Sequence, residues 1–197
     1  MVKLPVMGRV KTRLARDVGR TEATRFYRTT CATVVQRLAR QPFWETWLSV
    51  SPDAGNGSAT LPRPTRRMAQ GGGDLGARMQ RPMRTLPPGP VCVVGTDIPA
   101  ITIDDIRRAF AALGTRPLVF GPAEDGGFWL VGQRRRPRLL WPYAGVEWSR
   151  EDTLARVLAN VPADAAAFTT TLSDVDSARD LRGLAAHVGR RVPPVSR

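Results

Sequence analysis

Short apolar segments alternate with helical patterns along this chain, and this alternation constrains the fold more than any other feature. The run VCVVG at residues 91–95 is apolar or glycine throughout, as expected for a strand buried on both faces of a parallel sheet. Residues 102–113 follow with apolar side chains at helical spacing. We therefore predict an α/β fold, a Rossmann-like three-layer sandwich with a mixed, mostly parallel sheet.

The other elements are predicted in the same way. Residues 1–20 are expected to form a loop, and a helix should run from Thr21 until Pro42 closes it. Pro82 should kink or end the short helix that follows a Gly-rich turn. Further strands are predicted at 43–50, 65–69, 117–121, 128–132 and 166–171, and further helices at 150–160 and 177–188. The length suits one domain, residues 1–188, with a loosely ordered tail at 189–197.

Composition narrows the function classes. The net charge of +13 is spread along the chain, which favours attraction of anionic small molecules, phosphates above all. A non-catalytic nucleic-acid-binding protein is a remote alternative that rests on this charge alone, and we expect no specific nucleic acid.

A single histidine, His187, argues against a His-based triad or zinc site. Cys31 and Cys92 are expected in the core. Neither a membrane-spanning run nor a secretory pattern is visible, so we expect a cytoplasmic protein without a membrane partner.

Aspartates follow several predicted strands, where ligands bind in open α/β sheets. Asp97 comes directly after the 91–95 strand, and a carboxylate there favours a hard cation such as Mg²⁺. Asp176 precedes the last helix and is the second predicted metal ligand, with Asp174 a weaker candidate. The alternative for Asp97 is an Asx turn or an N-cap. For the second segment, the alternative is that Ser177 or Asp176 caps the last helix.

Two glycine-containing segments are candidate nucleotide contacts. Gly8 allows a sharp turn, and Lys11 and Arg13 beyond it can neutralise phosphates. In the segment QGGGDLG, residues 70–76, the glycines allow the backbone to approach a ring or phosphate, and Gln70 can pair with a base edge. The alternatives are a solvated basic loop and a flexible surface turn.

A third segment, Glu124 to Trp129, carries the sequence EDGGFW. Asp125 is a candidate for orienting the acceptor or assisting a metal, with Gly126 and Gly127 allowing close approach of a ligand. The alternative is a plain hairpin turn, which Asp-Gly also predicts. Both interpretations stay open at this point.

The segments GRVKTRL, QGGGDLGARM, GTDIP, GPAEDGGFWLVG, VEWS and SDVDSARDL occur in this order within residues 3–183. In this set the chain resembles a bacterial family of nucleotide-diphospho-sugar-transferase-like proteins, a glycosyltransferase-like group with some members assigned to arsenosugar biosynthesis. The family is similar to the 2-phospholactate guanylyltransferases and, more remotely, to the molybdenum-cofactor guanylyltransferases. The resemblance implies the GT-A, or nucleotidyltransferase, α/β sandwich.

The resemblance also implies where the nucleotide binds. Gly8, Lys11 and Arg13 fall on the family's phosphate-binding loop. Gln70 and Gly71 fall on its nucleotide-contacting turn, to which we add Gly76 of the same segment as a candidate.

The metal and acceptor residues follow in the same manner. Asp97 falls on the metal-binding aspartate of the Gly-Thr-Asp-x-Pro motif, and Asp176 on a second metal ligand of related nucleotidyltransferases. Asp125, Gly126 and Gly127 fall on the Asp-Gly-Gly segment. The chain departs from the family at its start: only Met1 and Val2 precede Lys3, so we expect the family's hydrophobic first strand to be almost missing.

Two reactions fit these expectations. In nucleotidyl transfer, an NTP such as GTP binds with Mg²⁺ or Mn²⁺, and a small phosphate- or hydroxyl-bearing acceptor attacks the α-phosphorus. In glycosyl transfer, the alternative, the same metal faces the diphosphate of a nucleotide-sugar and Asp125 acts on the acceptor hydroxyl. The sequence favours nucleotidyl transfer, because two cations at Lys11 and Arg13 suit a triphosphate better than a sugar diphosphate.

Overall fold

The computed structural model describes residues 1–62 and 66–189. Its strands are β1 (Val2–Lys3), β2 (Trp47–Ser51), β3 (Arg66–Ala69), β4 (Val91–Val94), β5 (Leu118–Pro122), β6 (Phe128–Gln133) and β7 (Ala166–Phe168). Its helices are α1 (Leu14–Val18), α2 (Arg20–Ala39), α3 (Leu75–Thr85), α4 (Ile103–Ala112), α5 (Thr153–Ala159) and α6 (Ala178–Gly189), and a 3-10 helix covers Asp53–Gly57. The predicted tail lies outside these residues from position 190 onward, and the domain boundary at 188 stays a prediction.

The strands form two sheets that lie side by side. β1, β2 and β3 are parallel and pair in the order β1-β2-β3. The second sheet has the order β4-β6-β5-β7, in which β6 runs antiparallel to both of its neighbours and β5 is parallel to β7. Helices pack on both faces of this second sheet. The predicted α/β sandwich with a mixed sheet is confirmed.

Alternation along the strands separates the core into layers. Val119 and Leu130 pack with residues of α2 and α4 on one face of the mixed sheet. Phe120 and Val131, their neighbours in sequence, pack with residues of α3 and α5 on the other face. This arrangement follows from the period of two in a strand, which sends successive side chains to opposite faces.

The first strand is as short as the sequence predicts. β1 contains two residues, and it meets β4 only at its end, where the Met1 amine donates to the Val94 carbonyl at 2.5 Å. The Thr96 hydroxyl donates to the Met1 carbonyl at 3.1 Å and strengthens this junction. A cavity of about 490 Å³ lies between β2 and β4 beside the amino end of β1. This cavity separates β2 from β4.

Two local predictions differ from the structure. Residues 1–20 are not all loop, because α1 forms there and buries Leu14 completely. Pro82 does not end α3, which continues for three residues beyond it, and a kink at Pro82 stays a prediction. A proline removes only one backbone donor. Pro82 and Met83 are both buried, Met83 with 1% of its surface exposed, and this burial keeps the turn packed against the sheet.

Candidate active site

The loops that carry the predicted aspartates meet at one edge of the mixed sheet. β4 and β5 are both antiparallel to β6, and β7 is parallel to β5, so the carboxyl ends of β4, β5 and β7 point the same way. Asp97 follows β4, Asp125 follows β5, and Asp174 and Asp176 follow β7. The loop after β1 brings Lys11 to this edge.

Lys11 lies at the centre of three carboxylates. Its Nζ is 3.0 Å from Oδ2 of Asp97, 2.9 Å from Oδ1 of Asp176 and 3.5 Å from Oδ2 of Asp174. We call Asp97, Asp174 and Asp176 the carboxylate cluster. The Lys11 side chain is 5% exposed, whereas those of the three aspartates are 30–39% exposed. The ammonium is thus enclosed, and the carboxylates keep part of their surface open.

The charges of the cluster shift its ionisation. Burial alone would lower the pKa of Lys11, but the carboxylates of Asp97 and Asp176 outweigh it and raise the pKa above its ordinary value. Burial raises the pKa of Asp174; Lys11 opposes this, and the charges of Asp176, Asp97 and Asp125 add to it. The three carboxylates carry more formal negative charge than Lys11 and Arg13 together neutralise.

Asp176 is positioned from both sides. Its Oδ2 accepts from Nη1 of Arg13 at 3.2 Å, so Lys11 and Arg13 share one carboxylate. Its backbone N–H donates to Oδ2 of Asp180, which also accepts from the Ser177 hydroxyl. Asp180 and Ser177 supply the side-chain bonds at the start of α6. The N-cap alternative is therefore correct for Ser177, whereas the Asp176 carboxylate contacts Lys11 and Arg13.

A cleft of about 710 Å³ opens beside the cluster. Among the predicted site residues, those that line it are Lys11, Gln70, Asp97, Asp125 and Gly127, together with Asp174. Those that do not line it are Gly8, Arg13, Gly71, Gly76, Gly126 and Asp176. Asp176 contacts Lys11, and Arg13 contacts Asp176, so both residues lie next to the residues that line the cleft.

The Gly-rich turn at 70–76 is built into the fold. Gln70 is 3% exposed, and its Nε2 donates to the carbonyls of Val2 and Ser49 at 3.2 and 2.9 Å. Gly71 N–H donates to Asp53, and a Cβ on Gly76 would press on Tyr143 and Trp148. These contacts give Gln70 and Gly76 structural roles; their predicted contacts with a nucleotide stay predictions.

The Asp-Gly-Gly segment connects β5 to β6 as a hairpin, so the hairpin alternative is correct for its backbone. Oδ1 of Asp125 accepts from the Gly127 N–H at 2.9 Å. Gly126 has φ +82°, and a Cβ there would lie 1.7 Å from the carbonyl oxygen of Glu151. Glycine is required here because the chain before α5 packs directly on the hairpin, which leaves Asp125 and Gly127 at the cleft.

Comparison with known proteins gives a family. A family model with the description "Uncharacterized protein conserved in bacteria (DUF2064)" matches residues 34–150. The chain belongs to this family. The matched range contains Asp97 and Asp125 of the DUF2064 protein, whereas Lys11 and Asp176 lie outside it. Comparison with curated proteins finds no match.

One similar solved structure is a protein from Desulfovibrio desulfuricans G20, provisionally named a nucleotide-diphospho-sugar transferase. It superposes on the DUF2064 protein with a TM-score of 0.86 at 27% identity, over 97% of this chain and 86% of the other. The match confirms the predicted fold class and supports the prediction of a transferase. A relation to guanylyltransferases stays a prediction.

Several cleft residues of the DUF2064 protein were not predicted. Trp148, Ser149 and Arg150, between β6 and α5, line the cleft. Trp148 Nε1 donates to Oδ2 of Asp74 at 3.3 Å, and Ser149 has φ +63°. This segment has no hydrophobic period, so only its place among the ordered motifs, as VEWS, could have indicated it.

Neither a preformed metal site nor a membrane-spanning helix is found among the described residues of the DUF2064 protein. Within 1–62 and 66–189, no group of three or more His, Cys, Asp or Glu side chains has the arrangement of a preformed metal site. In the carboxylate cluster, the Lys11 ammonium lies between the carboxylates of Asp97 and Asp176. Within the same residues, no helix has the length and apolar character needed to cross a membrane.

Proposed function

We propose that this protein is a cation-dependent glycosyltransferase that takes a nucleotide-diphospho-sugar as donor and a small hydroxyl-bearing molecule as acceptor. The observation that carries the proposal is the carboxylate cluster around Lys11, beside a cleft of about 710 Å³ at the carboxyl edge of the sheet. In open α/β sheets this edge is where nucleotides bind. The fold match to a protein named for the same donor class supports the choice of donor.

The residues present fit a hard divalent cation. Oxygen ligands from carboxylates suit Mg²⁺ or Mn²⁺, which usually take one or two carboxylates and complete their shell with phosphate oxygens and water. Asp97 and Asp176 would hold the ion, and Asp174 adds negative charge beside them. When bound, the ion supplies charge neutralisation for the diphosphate leaving group.

Residues of the chain itself would bind the diphosphate and the acceptor. Lys11 and Arg13 would contact the donor's diphosphate, because both are cations at the same corner of the cluster. Asp125 has Oδ1 bound to its own hairpin, which leaves Oδ2 to accept a hydrogen bond from the acceptor hydroxyl and take its proton. The hairpin fixes Asp125 at the cleft, so positioning of the acceptor comes from the fold.

Nucleotidyl transfer from an NTP, which the sequence favours, is the second candidate. The observation in its favour is that Lys11 and Arg13 both contact Asp176 and that Arg9 also lines the cleft. Three cations can bind a longer phosphate chain than a diphosphate. The solved relative favours the sugar nucleotide instead. The two reactions share the same metal ligands and differ in the bond that breaks.

The leaving group decides between them. We expect that incubation with Mg²⁺, sugar nucleotides of each base and a panel of small hydroxyl acceptors releases a nucleoside diphosphate as the sugar moves to the acceptor. Pyrophosphate release from an NTP, with every sugar nucleotide left intact, would establish nucleotidyl transfer instead.

The role of Asp125 is tested in the same assay. Asp125→Asn should lower kcat by at least about a hundredfold, the lower end of the contribution of a general base, and leave donor affinity unchanged. An unchanged kcat in this variant would remove Asp125 from the proposed chemistry.

A further inference from the structure

Lys11 occupies the space that a cation at the carboxylate cluster would need. Its Nζ contacts Oδ2 of Asp97 at 3.0 Å and Oδ1 of Asp176 at 2.9 Å, and Asp174 is within 3.5 Å. A divalent ion binds such oxygens at roughly 2.0–2.1 Å for Mg²⁺. An ammonium in contact with all members of the cluster leaves no room for that ion between them.

The position of Lys11 is set by the backbone of its loop. Lys11 has φ +44°, in the left-handed region that residues other than glycine rarely adopt. Its side chain is 5% exposed, whereas that of Arg13, two residues on, is 62% exposed. Backbone strain of this kind concentrates at functional sites. The Lys11 backbone thus adopts an unfavourable conformation, and this conformation places the ammonium inside the cluster.

We propose that Lys11 is an internal counter-ion that excludes the divalent cation until the donor binds. This inference rests on the proposed function and deepens it. The donor's diphosphate attracts the ammonium out of the cluster, and the carboxylates left behind then accept the cation. Cation and donor therefore bind with positive coupling, and by linkage each raises the affinity of the protein for the other.

The test measures cation binding directly. Mn²⁺ retained with the protein on ultrafiltration is titrated with and without a nucleoside diphosphate, each of UDP, GDP, ADP and CDP being tried. Free Mn²⁺ and its diphosphate complexes pass the filter. The variants are Lys11→Met, which removes the charge at similar length, and Lys11→Arg, which keeps it. Arg28→Met is the matched control, because it removes one positive charge at an exposed position that does not line the cleft.

Without a diphosphate, we expect Lys11→Met to half-saturate at a Mn²⁺ concentration at least about tenfold below that of the wild type, since a nearby positive charge opposes the ion. Lys11→Arg and Arg28→Met should behave like the wild type. Addition of the diphosphate should tighten Mn²⁺ binding in the wild type and do so much less in Lys11→Met. Thermal melting of each variant establishes that it is folded.

The contrary outcomes are distinct. If the wild type and Lys11→Met half-saturate at the same Mn²⁺ concentration without diphosphate, the cation site stands and the counter-ion role of Lys11 is wrong. If no variant retains Mn²⁺ with or without diphosphate, the cation site of the proposed function is wrong, and the inference falls with it.

Discussion

Replacement of Gly126 by alanine tests the packing that holds Asp125 at the cleft. Gly126 has φ +82°, and an added Cβ would lie 1.7 Å from the Glu151 carbonyl oxygen and 2.4 Å from its carbon. These atoms belong to backbone, so no side-chain rotation relieves the contact. The Leu154 N–H also donates to the Gly126 carbonyl at 2.9 Å, which ties the hairpin to α5 and resists any shift.

The expected loss follows from two terms. A left-handed conformation costs a residue with a Cβ roughly 1–2 kcal/mol. Forced overpacking adds about 1–3 kcal/mol, because the hairpin must move away from Glu151. Gly126→Ala should therefore lower the free energy of unfolding by about 2–5 kcal/mol in urea denaturation.

A second glycine provides the control. Gly145 has φ +63° and is exposed, and a Cβ on it would meet nothing within 4 Å. Gly145→Ala should therefore show the conformational cost alone, about 1–2 kcal/mol. Equal losses in the two variants would refute the argument, because the close approach to Glu151 would then contribute nothing.

Two further predictions concern stability. The Asp105 carboxylate is buried, which alone would raise its pKa, but hydrogen bonds from Thr102, Thr170 and Arg108 hold the pKa below its ordinary value. Its stabilising effect is thus complete above the ordinary carboxyl pKa and lost as the pH falls below it, and Asp105→Asn should flatten the acid side of the stability curve against pH. Gln70→Ala should lower the free energy of unfolding by about 1–3 kcal/mol, measured by urea denaturation, because it removes the two hydrogen bonds that the buried amide donates to carbonyls of β1 and β2; an unchanged value would show that the amide is dispensable.

The sequence predicts the elements well where a local pattern determines them. The apolar run before Asp97 forms β4, and the helix after it begins where Thr102 provides a capping box with Asp105. The rule that ligands bind at the carboxyl ends of strands selects Asp97, Asp125 and Asp176. The structure brings Asp97 and Asp176 to the same ammonium.

Features that depend on packing could not be predicted in this way. The burial of Lys11 among carboxylates depends on contacts between residues 165 positions apart, which no local pattern reports. The structural role of Gln70 depends on the pairing of β1 with β2. The position of Trp148 at the cleft depends on a loop whose sequence has no hydrophobic period. Continuation of α3 through Pro82 depends on burial, which tertiary packing decides.

The central claim is that the carboxylate cluster binds the donor diphosphate through a divalent cation. Calorimetric titration of the best-binding nucleoside diphosphate, in Mg²⁺ and in EDTA, measures the cation-dependent part of the affinity in the wild type and in Asp97→Asn. We predict that Mg²⁺ tightens binding to the wild type at least about tenfold, within the usual range of coupling between sites, and that Asp97→Asn loses this gain while its affinity in EDTA is no lower than that of the wild type. Full retention of the Mg²⁺-dependent gain in Asp97→Asn would contradict the claim.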